Sequence, residues 1–129
     1  MVDRQVYFEA SGSVLRVTID NPVTKNGLDY IGLGQLADCY EYAAENDEIR
    51  VMVIRGANGY FYTGGRVNAK NPGEKEAYAD AIERLTKVQD ANTVPVICAV
   101  NGHCMKAGMG LLSESDIAVA LEGVRFCFP

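Results

Sequence analysis

Val94-Pro95-Val96-Ile97-Cys98-Ala99-Val100-Asn101-Gly102 is the stretch that decides the fold. From Val94 to Val100 it is a near-continuous apolar run rich in β-branched residues, and Asn101-Gly102 breaks it. A run this short and this apolar reads as a strand over 94–100 covered on both faces, the pattern of parallel sheets closed by helices. Upstream, Ile49 to Arg55 repeats the signature and reads as a second buried strand, with Gly56 to Gly59 as a turn after it. Between the two strands, Tyr78, Ile82, Leu85 and Val88 fall on one face of a helix expected over 74–90, approached through Asn71-Pro72-Gly73.

The pattern continues toward both ends. Residues 5–10 and 14–20 alternate apolar and polar around Ser11-Gly12-Ser13, which predicts a hairpin. Asp20-Asn21-Pro22 ends the second strand, and 21–27 is a polar loop. Leu28, Ile31, Leu36, Cys39 and Ala43 predict a helix over 28–45, with Gly32 and Gly34 weakening its start. Beyond Gly102 the reading is a short helix over about 107–115, then strands over 116–121 and 124–128 joined by a turn at Glu122-Gly123. Alternating strands and helices place residues 1–129 in the α/β class, as one domain.

Composition narrows the function. The chain has 129 residues, 48% hydrophobic and 22% charged, with net charge −5. That balance argues against nucleic acid as a partner. No apolar run reaches the roughly 18 residues of a membrane span. Met1-Val2-Asp3-Arg4-Gln5 has no signal-peptide core. Cys39, Cys98, Cys104 and Cys127 form no CxxC pair and there is one histidine, so they read as reduced thiols of a cytoplasmic protein, with no metal site.

Two glycine-containing segments each follow an expected buried strand. One is Phe61-Tyr62-Thr63-Gly64-Gly65-Arg66-Val67; the other runs from Asn101-Gly102-His103-Cys104-Met105-Lys106 to Ala107-Gly108-Met109-Gly110. Small residues there let another molecule approach the backbone, and a loop that opens a helix presents free N–H groups. Two such donors aimed at one point make an oxyanion hole; each loop taken alone reads equally as a tight strand-to-helix turn.

Five blocks occur in the order used by the crotonase (enoyl-CoA hydratase/isomerase) superfamily. They are Val17-Thr18-Ile19-Asp20-Asn21-Pro22 with Asn26-Gly27-Leu28; Ile49 to Gly56; Phe61-Tyr62-Thr63-Gly64-Gly65; Val94 to Gly102; and Ser115-Asp116-Ile117-Ala118-Val119-Ala120 with Phe126-Cys127-Phe128-Pro129. The chain resembles the N-terminal half of that catalytic domain. The resemblance implies a ClpP/crotonase-like fold of repeated ββα units, with the C-terminal trimerisation helices missing. It implies an acyl-CoA or acyl-carrier thioester as substrate and partner, no cofactor, and a homotrimer or hexamer at full length.

Carried over by position, the resemblance makes the N–H groups of Gly65 and Ala107 the oxyanion hole, opening into a shared cavity. It assigns Thr24, Lys25, Gly27 and Thr63 to CoA binding; Lys25 reads either as a phosphate contact or as a solvated loop lysine. Tyr60 and Tyr62 flank the hole segment and are candidates to line the acyl pocket. His103 is a pocket or packing residue, and Lys106 points to solvent or into the pocket. Asp116 matches a structural position, and Arg66 stands where an aspartate is common.

The departures bear on the reaction. Lys106-Ala107-Gly108 replaces a triple-glycine turn, but Ala107 keeps its N–H. Hydratases of the family carry a glutamate where this chain has Gly110, and their second glutamate falls just after the Pro129 position. Glu114 is catalytic only if it faces inward. An enolate-stabilising isomerase or decarboxylase is therefore expected ahead of a two-glutamate hydratase. The alternative is a thioester-binding or scaffold protein that has lost its acids.

Overall fold

A computed structural model describes residues 3–128. Met1 and Val2, read above for a leader, and Pro129, the end of the last family block, lie outside the described residues. The elements are β1 (Val6–Ser11), β2 (Val14–Ile19), α1 (Tyr30–Glu45), β3 (Val51–Gly56), β4 (Tyr60–Tyr62), α2 (Glu74–Ala91), β5 (Val96–Val100), β6 (His103–Met105), α3 (Ala107–Glu114), β7 (Ile117–Ala120) and β8 (Phe126–Cys127), with a short 3-10 turn at Pro22–Thr24.

The apolar runs become one five-stranded sheet of order β1-β2-β3-β5-β7. β1 and β2 form the expected hairpin; β2, β3, β5 and β7 run parallel. Leu15, Val17, Ile19, Met52, Ile54, Val96, Cys98 and Val100 are buried with Leu33, Leu36, Ala37 and Tyr40 of α1 and Leu85 of α2 in a single core. Alternation along each strand puts these side chains on the same face, where the helices cover them. α1 starts two residues later than its apolar spacing suggests because Asp29 caps it, accepting from the N–H groups of Ile31 (2.9 Å) and Gly32 (3.0 Å). Arg84 of α2 ties the helices together, donating to Gly34 O at 2.9 Å and pairing with Asp38 and Glu41.

Two expectations fail. β5 is closed on one face only, since Ile97 and Ala99 are half-buried. The strands around Glu122-Gly123 are not a hairpin. β7 adds to the large sheet, whereas β8 joins a second, three-stranded parallel sheet of order β4-β6-β8. Strands of two or three residues carry no readable period, so neither β4, β6 nor the true partner of β8 shows in the sequence.

That small sheet positions the site. β4 and β6 are parallel neighbours, Tyr60 opposite His103 and Tyr62 opposite Cys104. The two glycine-containing turns therefore leave the same end of adjacent strands and stand side by side. Polar braces hold this arrangement. Asn101 accepts from Gly56 N–H at 3.0 Å and donates to Gly56 O at 2.7 Å. Buried Asn26 donates to Ala57 O and Tyr60 O at 2.6 and 3.0 Å. Asp116 accepts from Val96 N–H at 2.8 Å, the structural part its position implies. At the far edge β7 is open, with Ile117 55% and Val119 61% exposed, and Leu121, Phe126 and Phe128 are exposed beside it.

Candidate active site

The first turn is set by backbone conformation. Gly64 has φ 108°, which a side chain rarely tolerates. Leu28 N–H donates to Gly64 O at 3.0 Å and Arg66 N–H to Leu28 O at 2.9 Å, so a single bridge at Leu28 holds the turn. These bonds use the residues on either side of Gly65 and leave its own N–H without a described acceptor. Ala107 opens α3, where no preceding helical carbonyl exists, and its N–H is likewise free among the described residues. The turns touch: a Cβ built on Gly64 would lie 2.9 Å from Lys106 Cβ and 3.6 Å from the Ala107 nitrogen.

Lys106 holds the position before Ala107 with φ 54° and ψ −121°, a region that glycine alone occupies without strain. Its side chain is exposed and lines a cavity of about 600 Å³ with Lys25, Tyr60, Thr63, Arg66, His103, Met105 and Arg125. That lining contains four cationic side chains and no carboxylate. Lys25 and Lys106 are both exposed and both line this cavity. His103 Nδ1 accepts from Arg125 N–H at 3.1 Å, which leaves the proton of the neutral ring on Nε2, and the ring stands edge-on to Tyr60 at 6.0 Å.

Thr24 and Gly27 are turned inward. Thr24 Oγ1 donates to Gly27 O at 2.7 Å. Thr63 Oγ1 donates to Lys25 O at 2.9 Å and accepts from Arg66 Nη2 at 3.1 Å. Arg66 also donates to Thr24 O and Gly65 O, at 3.0 and 3.1 Å, so it stitches the 24–27 loop to the first turn.

A second cavity, of about 260 Å³, is lined by Tyr62, Ala107, Gly110, Glu114, Leu111, Gln89 and neighbouring residues of α1 and α2. Glu114 is one helical turn beyond Gly110 and reaches the same space. Nothing lies within 4 Å of a Cβ built on Gly110. Burial pushes the Tyr62 phenol well above its usual range, with Tyr78 adding to the effect and Arg66 opposing it. The expected shared cavity is not seen: Ala107 faces this second space, while Gly65 lines neither, because the Tyr78 ring lies against it. Tyr78 is the site-region residue that sequence reading missed; spacing placed it on the buried face of α2 but carried no sign of the contact with Gly65.

Paired parallel turns with two free N–H groups stand on a ββα core, and the sequence model of enoyl-CoA hydratase/isomerase matches residues 9–129. The chain belongs to the enoyl-CoA hydratase/isomerase family. It is 35% identical over 90% of its length to 2,3-dehydroadipyl-CoA hydratase of Escherichia coli (strain K12), covering 46% of that protein. It is 29% identical over 88% of its length to 1,2-epoxyphenylacetyl-CoA isomerase of the same organism, again covering 46%. A crystal structure of an enoyl-CoA hydratase from Mycobacterium avium subsp. paratuberculosis K-10 superposes with a TM-score of 0.83 at 28% identity, over 95% of this chain and 49% of that one. The chain thus spans about half the length of the family members it matches. Those relatives carry hydratase, isomerase and, in Mycobacterium tuberculosis, hydrolase names. Among the described residues, no helix is long and apolar enough to cross a membrane, and no three metal-ligating side chains gather.

Proposed function

We propose that this family member acts on an acyl-CoA thioester, with Gly65 and Ala107 N–H donating to the thioester oxygen and stabilising an enolate. The observation that carries the reading is the pair of unbonded N–H groups on adjoining turns. Charge that develops on oxygen is best met by donors already fixed in place, each worth on the order of 10²–10³-fold in rate. The acid-free cavity of Lys25, Arg66, Lys106 and Arg125 is where the CoA phosphates would be held, with Thr63 at its wall. The acyl group would enter the smaller cavity, against Tyr62 and Gly110. No cofactor enters this chemistry.

Gly110 brings no carboxyl group to the acyl side. Enolate formation followed by a single proton return suits that arrangement better than hydration shared between two acids, so isomerase- or decarboxylase-type chemistry is favoured. A homotrimer or hexamer stays the expectation for the full-length protein; the exposed apolar edge at Ile117, Val119, Leu121 and Phe128 is a face for a further segment or another chain to cover. Free, buried Cys39, Cys98 and Cys104 suit a reducing compartment such as the cytoplasm. The same lack of an acid at 110 favours as second reading a thioester-binding or scaffold protein. Assay of the protein with crotonyl-CoA and with a 3-enoyl-CoA separates these. Double-bond migration without rapid hydration supports the first reading, binding without turnover supports the second, and failure to bind either thioester rejects both.

A further inference from the structure

The Tyr78 ring ends on Gly65. A Cβ at Gly65 would overlap the Tyr78 hydroxyl and lie 2.5 Å from Cζ and 2.9 Å from Cε2. The Gly65 φ is outside the left-handed region, so the backbone does not demand glycine there. The phenol does: any side chain at 65 would expel it. The contact joins residues from separate elements, the turn after β4 and the first half of α2. The hydroxyl has no hydrogen-bond partner among the described residues, although the ring is half-buried. An unpaired O–H thus lies on the side of Gly65 where a Cβ would stand, beside a residue whose own N–H is also free.

We propose that Tyr78 is a catalytic residue whose hydroxyl gives a third hydrogen bond to the thioester oxygen held at Gly65 and Ala107. This rests on the acyl-thioester reading above. The phenol donates a hydrogen bond and breaks no bond of its own. Burial pushes the ionisation of the phenol to higher pH while Arg66 acts against that, so the group stays a neutral donor through the neutral pH range. A third donor would lower the cost of placing negative charge on the oxygen, the step the backbone donors already serve.

Acetoacetyl-CoA tests the proposal, because its enolate absorbs in the near ultraviolet and an oxyanion hole draws it out. The protein, Tyr78→Phe and a variant with 3-fluorotyrosine at 78 are titrated with acetoacetyl-CoA and, separately, with CoA. The expected result is a roughly 10- to 100-fold loss of enolate affinity in Tyr78→Phe, with CoA affinity unchanged. The fluorinated ring, a stronger donor of nearly the same shape, should bind the enolate more tightly. Equal or tighter enolate binding by Tyr78→Phe overturns the role of Tyr78 and leaves the acyl-thioester reading standing. If Tyr78→Phe does not fold, an unchanged response in the fluorinated protein overturns it instead. Absence of both CoA and acetoacetyl-CoA binding in the unsubstituted protein overturns both readings.

Discussion

Arg66 Nη2 donates to the carbonyl oxygen of Thr24 at 3.0 Å, across 42 residues of chain. The same guanidinium nitrogen reaches Thr63 Oγ1, and the group lies flat over Gly27, where a Cβ would come within 2.6 Å of Cζ. One side chain therefore both closes the loop after β2 and contributes charge to the larger cavity. Arg66→Met keeps the stem and removes these bonds. Hydrogen bonds from charged donors contribute about 1.5–3 kcal/mol each when buried, less where solvent competes as here, so a total loss of about 1–3 kcal/mol is expected by denaturant unfolding. CoA affinity should fall with it and become less sensitive to salt; unchanged affinity would remove Arg66 from the phosphate site.

Lys106 is strained. A non-glycine residue in its φ/ψ region costs on the order of 1–3 kcal/mol. Lys106→Gly should therefore raise the melting temperature while weakening CoA binding, because it relaxes the turn and withdraws one cation from the cavity. Lys106→Ala separates the effects: it removes the charge but keeps the strain. If Lys106→Gly binds CoA as tightly as the unsubstituted protein, the lysine does not hold the CoA phosphates.

Thiol chemistry reports on the packing of the sheet. Burial pushes the Cys39 thiol up to about 12 and those of Cys98 and Cys104 up to about 11, from 9.0. Each folded value exceeds the unfolded one, so the stabilisation is complete below about pH 9 and is lost as pH rises toward 11–12. Stability should decline in that alkaline window, and a Cys39→Ala variant should decline less steeply. At neutral pH a thiol reagent should label exposed Cys127 and spare the other three until the chain unfolds. Rapid labelling of Cys98 would mean that β5 is not packed as described.

Much of the fold is written in local pattern. The near-continuous apolar runs at 49–55 and 94–100 located the sheet, and helical spacing in 74–90 located part of its cover because burial on one face of a helix leaves a periodic trace. The ends of strands and helices shifted by one or two residues where a cap such as Asp29 decided the boundary. The second sheet was illegible, since its strands take their partners from distant segments and are too short to alternate. The site divides the same way. The glycine turns and Ala107 are visible in sequence, while the Arg66 stitch, the strain at Lys106 and the Tyr78 contact exist only once β4, β6 and α2 have been brought together.

Gly110 offers the sharpest test of the chemistry. It lies inside α3 with ordinary helical backbone, and space is open around the position its Cβ would take. Gly110→Glu should therefore fold, and replacing glycine inside a helix should stabilise it by about 0.5–1 kcal/mol. The new carboxylate would enter the cavity that Ala107 and Tyr62 line. If a missing acid is all that separates this site from a hydratase, crotonyl-CoA hydration should rise by about 10²–10⁴-fold, the usual worth of a positioned acid or base. Gly110→Gln matches the size and lacks the proton, so it should show no such rise. Glu114 needs its own control, because it reaches the same cavity from one turn further along α3. A loss of turnover in Glu114→Gln, with thioester binding intact, would show that a carboxylate already serves from that position. In that case Gly110→Glu should add little, since two acids one turn apart would compete for one proton path and repel each other.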